Sequence, residues 1–111
     1  MVKYIPEQGD IVWLDFNPQA GHEQSGKRPA IVISHGSYNE KVGLALCCPI
    51  TTSRKGYPFE VNLPANMKTG GVILSDQIKN LDWNERNAVL IEKAPRSIIT
   101  EVISKFSKLF K

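Results

Sequence analysis

The feature that most constrains the fold is a series of short apolar segments, each about as long as one strand and bounded by residues that break regular structure. Six such segments cover residues 10–16, 30–34, 42–50, 59–63, 71–74 and 88–91. In the segment 59–63, apolar residues alternate with Glu60 and Asn62, which predicts one buried and one wet face. The sequence therefore predicts a protein built mainly from short strands.

The period of the apolar residues changes near the C-terminus. Five apolar side chains fall there at helical spacing: Ile99, Val102, Ile103, Phe106 and Phe110. A proline is tolerated in the first turn of a helix, and Pro95 lies at that position. We predict one helix over residues 95–110. Together with six strands in a chain of 111 residues, it indicates a single mainly β domain over 1–111, a small closed or half-open barrel with a C-terminal helix.

Composition excludes several classes of protein. Hydrophobic residues make up 41% and charged residues 23%, which are globular values, and a net charge of +3 excludes an acidic disordered chain. No apolar run is long enough to span a membrane, and the N-terminal residues lack the apolar core of a signal peptide. We therefore expect neither a membrane partner nor export.

The positions of the cysteines and histidines predict neither a disulfide nor a zinc site. Cys47 and Cys48 are adjacent, and neighbours on a strand point to opposite faces, so we expect packing rather than a disulfide. That expectation fits a reducing cytoplasm. His22 and His35 are scattered and do not complete a zinc site, so we expect no metal and no cofactor.

Two polar segments, 17–27 and 51–58, are too long to be simple turns, and long loops on a small β scaffold often carry function. If the strands beside them pair, their carboxylate, cationic and hydroxyl groups meet at one end of the sheet. Such a site suits a phosphodiester, because arginine binds phosphate bidentately and a carboxylate can take a proton from a ribose hydroxyl. The aromatic rings of Phe16, Tyr57 and Phe59 are candidates for stacking on unpaired bases.

Five segments occur in an order that is familiar. They are Gly-Asp-Ile-Val-Trp-Leu-Asp-Phe at 9–16, Lys-Arg-Pro-Ala-Ile-Val-Ile-Ser at 27–34, Pro-Ile-Thr-Thr at 49–52, Lys-Gly-Tyr-Pro-Phe-Glu-Val at 55–61 and Gly-Val-Ile-Leu-Ser-Asp-Gln-Ile-Lys at 71–79. In this order they resemble the MazF/PemK family of toxin endoribonucleases. The resemblance extends from about residue 9 to residue 94.

The resemblance implies a fold, an activity and partners. The fold is an SH3-like barrel, of the kind shared by CcdB and MazF, in a symmetric homodimer. The activity is metal-independent, sequence-specific cleavage of single-stranded RNA, mainly mRNA, to 2′,3′-cyclic phosphate and 5′-hydroxyl ends, which inhibits translation and growth. The further partner is a cognate antitoxin whose acidic, disordered C-terminal tail lies in the RNA groove.

The resemblance also assigns residues by position. Arg28 and Thr51 match the catalytic pair of the family, and Glu23 matches an acidic residue of its flexible loop. Candidate RNA contacts are Phe16, Asn17, Gln24, Ser25, Lys27, Thr52, Arg54, Lys55, Tyr57, Asp76 and Gln77. Leu74 stands where some members carry a second arginine, so their assignment of general acid and base does not transfer.

Alternative interpretations stay open at this point. Arg28 is also expected to suit a surface ion pair with Glu23, and the hydroxyl of Thr51 suits a turn cap. A non-catalytic toxin of the CcdB type, which binds DNA gyrase, would have the same barrel, and a catalytically silent RNA-binding domain is a weaker alternative. The C-terminal Lys-Leu-Phe-Lys shows no recognisable gyrase anchor, so the nuclease is favoured.

Overall fold

The computed structural model describes residues 3–17, 21 and 26–110. In chain order, the elements of this part are β1 (Asp10–Asp15), β2 (Lys27–Val32), α1 (Gly36–Val42), β3 (Ala45–Thr51), β4 (Glu60–Asn62), β5 (Val72–Leu74), β6 (Lys79–Leu81), β7 (Val89–Lys93) and α2 (Arg96–Ser107), followed by a 3₁₀ turn (Lys108–Phe110). The prediction of a mainly β domain with a C-terminal helix is confirmed. None of the helices in these ranges is long and apolar enough to cross a bilayer.

The strands form one antiparallel sheet in the order β4-β5-β3-β2-β1-β7, with β6 beside β3. Strand β3 has β2 on one side and two short strands on the other. Its first half pairs with β6, at Ala45 opposite Leu81, and its end pairs with β5, at Ile50 opposite Ile73. Each end strand of this order, β4 and β7, pairs with one neighbour within the described ranges, so the barrel is half-open rather than closed.

Both faces of the sheet are covered by apolar clusters. One cluster packs Ile11 of β1, Ile31 of β2 and Cys48 of β3 beneath helix α2, which contributes Ile98, Ile99 and Val102. The other contains Val12, Leu14, Phe16, Cys47 and Trp83. Burial raises the pKa of Cys47 to about 12, and both cysteines are free thiols. The prediction that the two cysteines pack on opposite faces of a strand is confirmed.

Helix α1 corrects the sequence prediction, which began a strand at residue 42. The predicted turn around Asn39 is a helix of 7 residues that ends at Gly43, whose φ of 78° is left-handed. Asn39 is fully buried, and its side-chain amide donates to the carbonyl oxygens of Pro6 and Ser34 at 2.7 and 3.2 Å. Trp83 donates its indole N–H to the backbone oxygen of Asn39 at 3.1 Å. These contacts come from distant parts of the chain, which local periodicity does not register.

The bounds of the other elements differ from the predicted bounds by less than those around helix α1. Strand β2 begins at Lys27, three residues before the predicted start, because β1 pairs with it as far as Asp15 opposite Lys27. Strand β6 was not predicted, since it has only 3 residues and two of them are polar. The C-terminal helix begins at Arg96 with Pro95 as its N-cap residue, close to the predicted bound. Ile103, which we placed in the apolar stripe, is 40% exposed.

Candidate active site

The pairing of β2 with β3 brings the two predicted catalytic residues together. The antiparallel register sets Ala30 opposite Pro49. Continued by two residues, the same register sets Arg28 opposite Thr51, at the open end of both strands. The expectation that the two polar segments converge there depended on this pairing, and the pairing is present.

A cleft of about 400 Å³ opens at this end of the sheet. Its lining residues are Arg28, Thr51, Ser53, Lys55, Tyr57, Glu60, Leu74 and Gln77. A second hollow, of about 290 Å³, is lined by Lys27, Arg28, Pro29, Ile50, Thr51, Thr52 and Gly70. Arg28 and Thr51 line both spaces, so the two hollows meet at that pair. Cations and hydroxyls on this surface suit an extended polyanion.

The position of Thr51 is fixed by close backbone packing. Gly71 has a φ of 106°, and a Cβ atom there would lie 2.2 Å from the carbonyl oxygen of Thr51. Only glycine combines that conformation with so close an approach. The hydroxyl of Thr51 accepts a hydrogen bond from the backbone N–H of Ser53 at 3.1 Å. The turn-cap role is therefore present, and it leaves the side chain on the cleft surface.

Residues 53–57, here called the cleft loop, are held by a carboxylate that sequence reasoning did not select. Glu60 is only 8% exposed, and its two carboxylate oxygens accept the backbone N–H groups of Lys55 and Gly56 at 2.8 and 3.0 Å. The alternation of apolar and polar residues predicted that Glu60 faces water. That prediction was wrong, because the cleft loop folds back over the side chain. The sequence did contain a signal for this role: an acidic residue in the predicted strand 59–63, five residues after the basic residue Lys55.

Tyr57 and Asp76 join the cleft loop to the segment after β5. The hydroxyl of Tyr57 donates to Oδ1 of Asp76 at 2.7 Å. Burial raises the pKa of Tyr57, and the hydrogen bond and negative charge of Asp76 raise it further. The phenol therefore stays protonated across the physiological range and remains a donor. The ring of Tyr57 lies 6.3 Å from that of Phe59 in a tilted arrangement.

The first polar segment is described only at its base. Asn17 accepts the backbone N–H of Gly26 at 3.0 Å, and Arg86 donates to the backbone oxygen of Asn17 at 2.6 Å. These contacts bring the two ends of the segment together. Glu23, Gln24 and Ser25, which we predicted as catalytic or RNA-binding residues, lie outside the described residues. His22 lies outside them as well.

The structure corrects one predicted RNA contact and places another beside the cleft. Phe16 is 2% exposed and belongs to an apolar cluster with Leu14 and Trp83, so its ring is not available for stacking on a base. Its place on the inward face of the sheet continues the alternation of β1. Arg54 is exposed, but it does not line the cleft, and its guanidinium donates to Oδ1 of Asn62 at 2.5 Å. Arg54 therefore lies along β4, beside the cleft.

The remaining predicted contacts surround the two hollows. Lys55, Tyr57 and Gln77 line the cleft, Lys27 and Thr52 line the second hollow, and Asp76 reaches the cleft through Tyr57.

The sequence of this chain also matches a known family model over most of its length. Residues 7–110 match the family model described as the PemK-like, MazF-like toxin of type II toxin–antitoxin systems. The chain belongs to this family. The predicted resemblance is confirmed, and the match covers nearly all of the chain.

Relatives of this PemK/MazF-family chain include named endoribonucleases. The endoribonuclease toxin MazF of Escherichia coli K12 is 50% identical over 86 residues, which cover 78% of this chain and 77% of the relative. The endoribonuclease PemK of Escherichia coli is 30% identical over 107 residues, with 93% and 80% covered. The prediction of a toxin-family endoribonuclease is confirmed at this level.

Solved structures agree with the fold of this family member. The crystal structure of MazF (Form-I) from Deinococcus radiodurans has a TM-score of 0.94 at 48% identity and covers 97% of this chain and 98% of that chain. A MazE–MazF complex from the same organism has a TM-score of 0.88 at 48% identity, with 97% of each chain covered.

Proposed function

We propose that this toxin endoribonuclease cleaves single-stranded RNA, mainly mRNA, at short sequences, without a metal, and thereby inhibits translation and growth. The observation that carries the proposal is that Arg28 and Thr51, on the paired strands β2 and β3, line both hollows. Lys55 and Tyr57 on the cleft wall add a cation and a protonated phenol. These groups fit a chain of phosphates that crosses the end of the sheet.

The proposed chemistry is an internal transfer at phosphorus. The ribose 2′-oxygen attacks the adjacent phosphorus, the bond to the 5′-oxygen breaks, and the 2′-proton ultimately goes to the leaving oxygen. The products are a 2′,3′-cyclic phosphate and a 5′-hydroxyl. Arg28 binds the non-bridging oxygens and stabilises the negative charge that develops on them, which is often the largest catalytic contribution. Thr51 offers its hydroxyl as a further hydrogen-bond donor to the same phosphate.

Proton transfer needs groups beyond this pair. Arginine stays protonated at working pH, so Arg28 suits charge stabilisation better than it suits a general base. Glu23 remains our candidate for a catalytic carboxylate in the first polar segment. Gln24, Ser25 and Lys27 are proposed to contact RNA beside it, with Asn17 at the base of that segment.

The remaining proposed RNA contacts come from the cleft and its rim. Lys55 binds a phosphate, and Tyr57 offers a ring for a base and a hydroxyl for hydrogen bonding. Asp76 and Gln77 lie at the same rim and offer acceptors and donors to base edges. Thr52 and Arg54 are proposed as contacts with the RNA backbone on either side.

We also propose a homodimer and an antitoxin partner. Trp13 and Val89 are cross-strand neighbours that are 43% and 56% exposed. Adjacent exposed apolar side chains of this size are typical of an interface. The antitoxin is proposed to lay an acidic, disordered C-terminal tail along the cationic cleft and so exclude RNA. The MazE–MazF complexes of Deinococcus radiodurans support such a partner.

Two buried free thiols support a reducing compartment, and we propose the cytoplasm as the site of action.

The test is incubation of purified protein with a long single-stranded RNA in excess EDTA, followed by mapping of the ends. We expect discrete cuts that leave 5′-hydroxyl and 2′,3′-cyclic phosphate ends. Cleavage that stops in EDTA would contradict the metal-free mechanism. A folded protein that cuts no RNA but inhibits DNA gyrase would support the CcdB-type alternative, and one that only binds RNA would support the silent domain.

A further inference from the structure

Glu60 is the one acidic side chain among the described residues that line the cleft, whose other charged groups are the cations of Arg28 and Lys55. A carboxylate at this place repels the phosphates that the cleft is proposed to bind, so its presence needs a reason. Both of its oxygens accept a backbone N–H group, one from Lys55 and one from Gly56. Charge-assisted hydrogen bonds of this kind are stronger than neutral ones.

Other contacts of Glu60 hold the same region. Its backbone N–H donates to the carbonyl oxygen of Tyr57 at 3.2 Å. Its backbone oxygen accepts a hydrogen bond from Nζ of Lys105 in α2 at 2.7 Å. Glu60 therefore joins the cleft loop to β4 and to the C-terminal helix. The contacts involve three consecutive residues of the loop: Lys55, Gly56 and Tyr57.

We infer that Glu60 is a positioning residue for RNA binding: its carboxylate fixes the cleft loop so that Lys55 and Tyr57 face the RNA. The inference rests on the proposed function. It assigns a role to an acidic residue that is not itself expected to bind RNA. Glu60 acts through the loop and does not itself touch RNA. Both of its oxygens already accept a backbone N–H group of the loop, which is the geometry of a loop-positioning contact.

The sign of the effect separates this role from a plain charge. Glu60→Gln removes the negative charge and one of the two acceptors. If Glu60 acted only by repelling phosphate, this variant would bind RNA more tightly. If Glu60 is a positioning residue, the Glu60→Gln protein is expected to bind RNA about tenfold more weakly. This factor corresponds to the loss of one charge-assisted hydrogen bond.

A second variant, Glu60→Asp, separates charge from reach. It keeps the charge but is one methylene shorter, so it does not reach both N–H groups. Loop positioning predicts weaker RNA binding for this variant as well, whereas a charge effect predicts wild-type affinity. The matched control is Glu92→Gln, because Glu92 also accepts two consecutive backbone N–H groups, those of Lys68 and Thr69, in a loop that contributes no side chain to the cleft.

The experiment measures the affinity of each variant for a 2′-O-methylated RNA of about 20 nucleotides that contains a mapped cleavage site; this RNA lacks the attacking hydroxyl and is not cleaved. A double-mutant cycle combines Glu60→Gln with Lys55→Ala. If Glu60 acts through the loop, the double variant binds only slightly more weakly than Lys55→Ala alone. Amide hydrogen exchange is measured in parallel, and we expect the N–H groups of Lys55 and Gly56 to exchange faster in both Glu60 variants.

The outcomes separate this inference from the proposed function. Wild-type affinity in both Glu60 variants, tighter binding by Glu60→Gln, or full additivity with Lys55→Ala would each overturn the positioning role. A loss of kcat on cleavable RNA with unchanged KM and loss of the acidic limb of the pH profile would make Glu60 a general base instead. The proposed function is tested separately by cleavage with the wild-type protein, and the uncleavable RNA measures binding without cleavage.

Discussion

Glu60 and Glu92 make the same local contact in two regions of the molecule, and the consequences differ. Each carboxylate accepts two consecutive backbone N–H groups of a loop, at Lys55 and Gly56 in one case and at Lys68 and Thr69 in the other. Glu92 accepts a further bond from the hydroxyl of Thr69 at 2.7 Å. As hydrogen-bond patterns, the two regions are nearly equivalent.

They differ in what the fixed loop presents. The loop fixed by Glu60 contributes Lys55 and Tyr57 to the cleft, whereas the loop fixed by Glu92 contributes no side chain to it. The second loop reaches the other hollow only at Gly70, which has no side chain to offer. A carboxylate that organises a loop thus gains a functional meaning from the side chains that the loop carries, and the hydrogen bonds alone do not reveal it.

The largest effect is expected at the residue that the cleft shares with the second hollow. Arg28→Ala removes the charge proposed to stabilise the transition state, so the cleavage rate should fall by about 10³-fold or more. The matched control is Arg96→Ala, on the exposed first turn of α2, which should cleave at the wild-type rate. Single-turnover cleavage with a mapped substrate measures both. Near-normal cleavage by a folded Arg28→Ala protein would show that the site is wrongly assigned.

The next effect compares the two loops directly through their lysines. Lys55 and Lys68 are both exposed. The backbone N–H of Lys55 donates to the carboxylate of Glu60, and that of Lys68 donates to the carboxylate of Glu92. Lys55→Ala should weaken RNA binding about tenfold and reduce the salt dependence by about one phosphate contact. Lys68→Ala should leave both unchanged. Binding titrations over a range of salt concentrations test this, and equal slopes for the two variants would remove Lys55 from the proposed RNA contacts.

A smaller effect is expected at the hydroxyl of Tyr57. Burial and the neighbouring Asp76 raise its pKa, so the hydroxyl stays protonated from about pH 6 to pH 9. Tyr57→Phe should therefore lower kcat/KM by the same few-fold factor across that range, about threefold for one neutral hydrogen bond. Cleavage rates of both proteins against pH provide the measurement. A ratio that changes with pH would mean that the phenol titrates during the reaction.

The smallest effect on activity is expected at Glu92, where the change concerns stability. Burial tends to raise the pKa of Glu92, but the hydrogen bonds from Thr69 and Lys68 and the charge of Lys68 lower it below 4.5 overall. A carboxyl whose pKa is lower in the folded state stabilises the protein above its unfolded pKa. That stabilisation is lost as pH falls through the folded pKa.

Glu92→Gln should therefore lower the free energy of unfolding by about 1 kcal/mol at neutral pH and by less in acid, while cleavage stays unchanged. Urea unfolding at several pH values measures the difference. A destabilisation that grows as pH falls would contradict the sign. Altered cleavage would show that the loop of Glu92 is not separate from the site.

Much of the fold could be predicted because apolar spacing is a local property. Alternation on β1 predicts that Trp13 and Leu14 face opposite sides, and the structure buries Leu14 and exposes Trp13. The proposed catalytic pair, Arg28 and Thr51, could be selected from motif residues, and its placement on β2 and β3 agrees with the pairing of those strands. Helix α1 and the role of Glu60 could not be read in this way, since each depends on hydrogen-bond partners that folding brings together.

The sequence by itself determined the strand-rich class, the C-terminal helix and most of the polar residues that line the cleft, because hydrophobic period and side-chain chemistry are local properties of the chain. The tertiary structure alone decided which polar residues line the cleft and which hold the scaffold. Asn39 is polar and fully buried, whereas Trp13 is aromatic and 43% exposed. The physical reason is that the role of a polar side chain depends on the hydrogen-bond partners that folding brings close to it. Glu60 finds its partners only when the cleft loop folds back over β4.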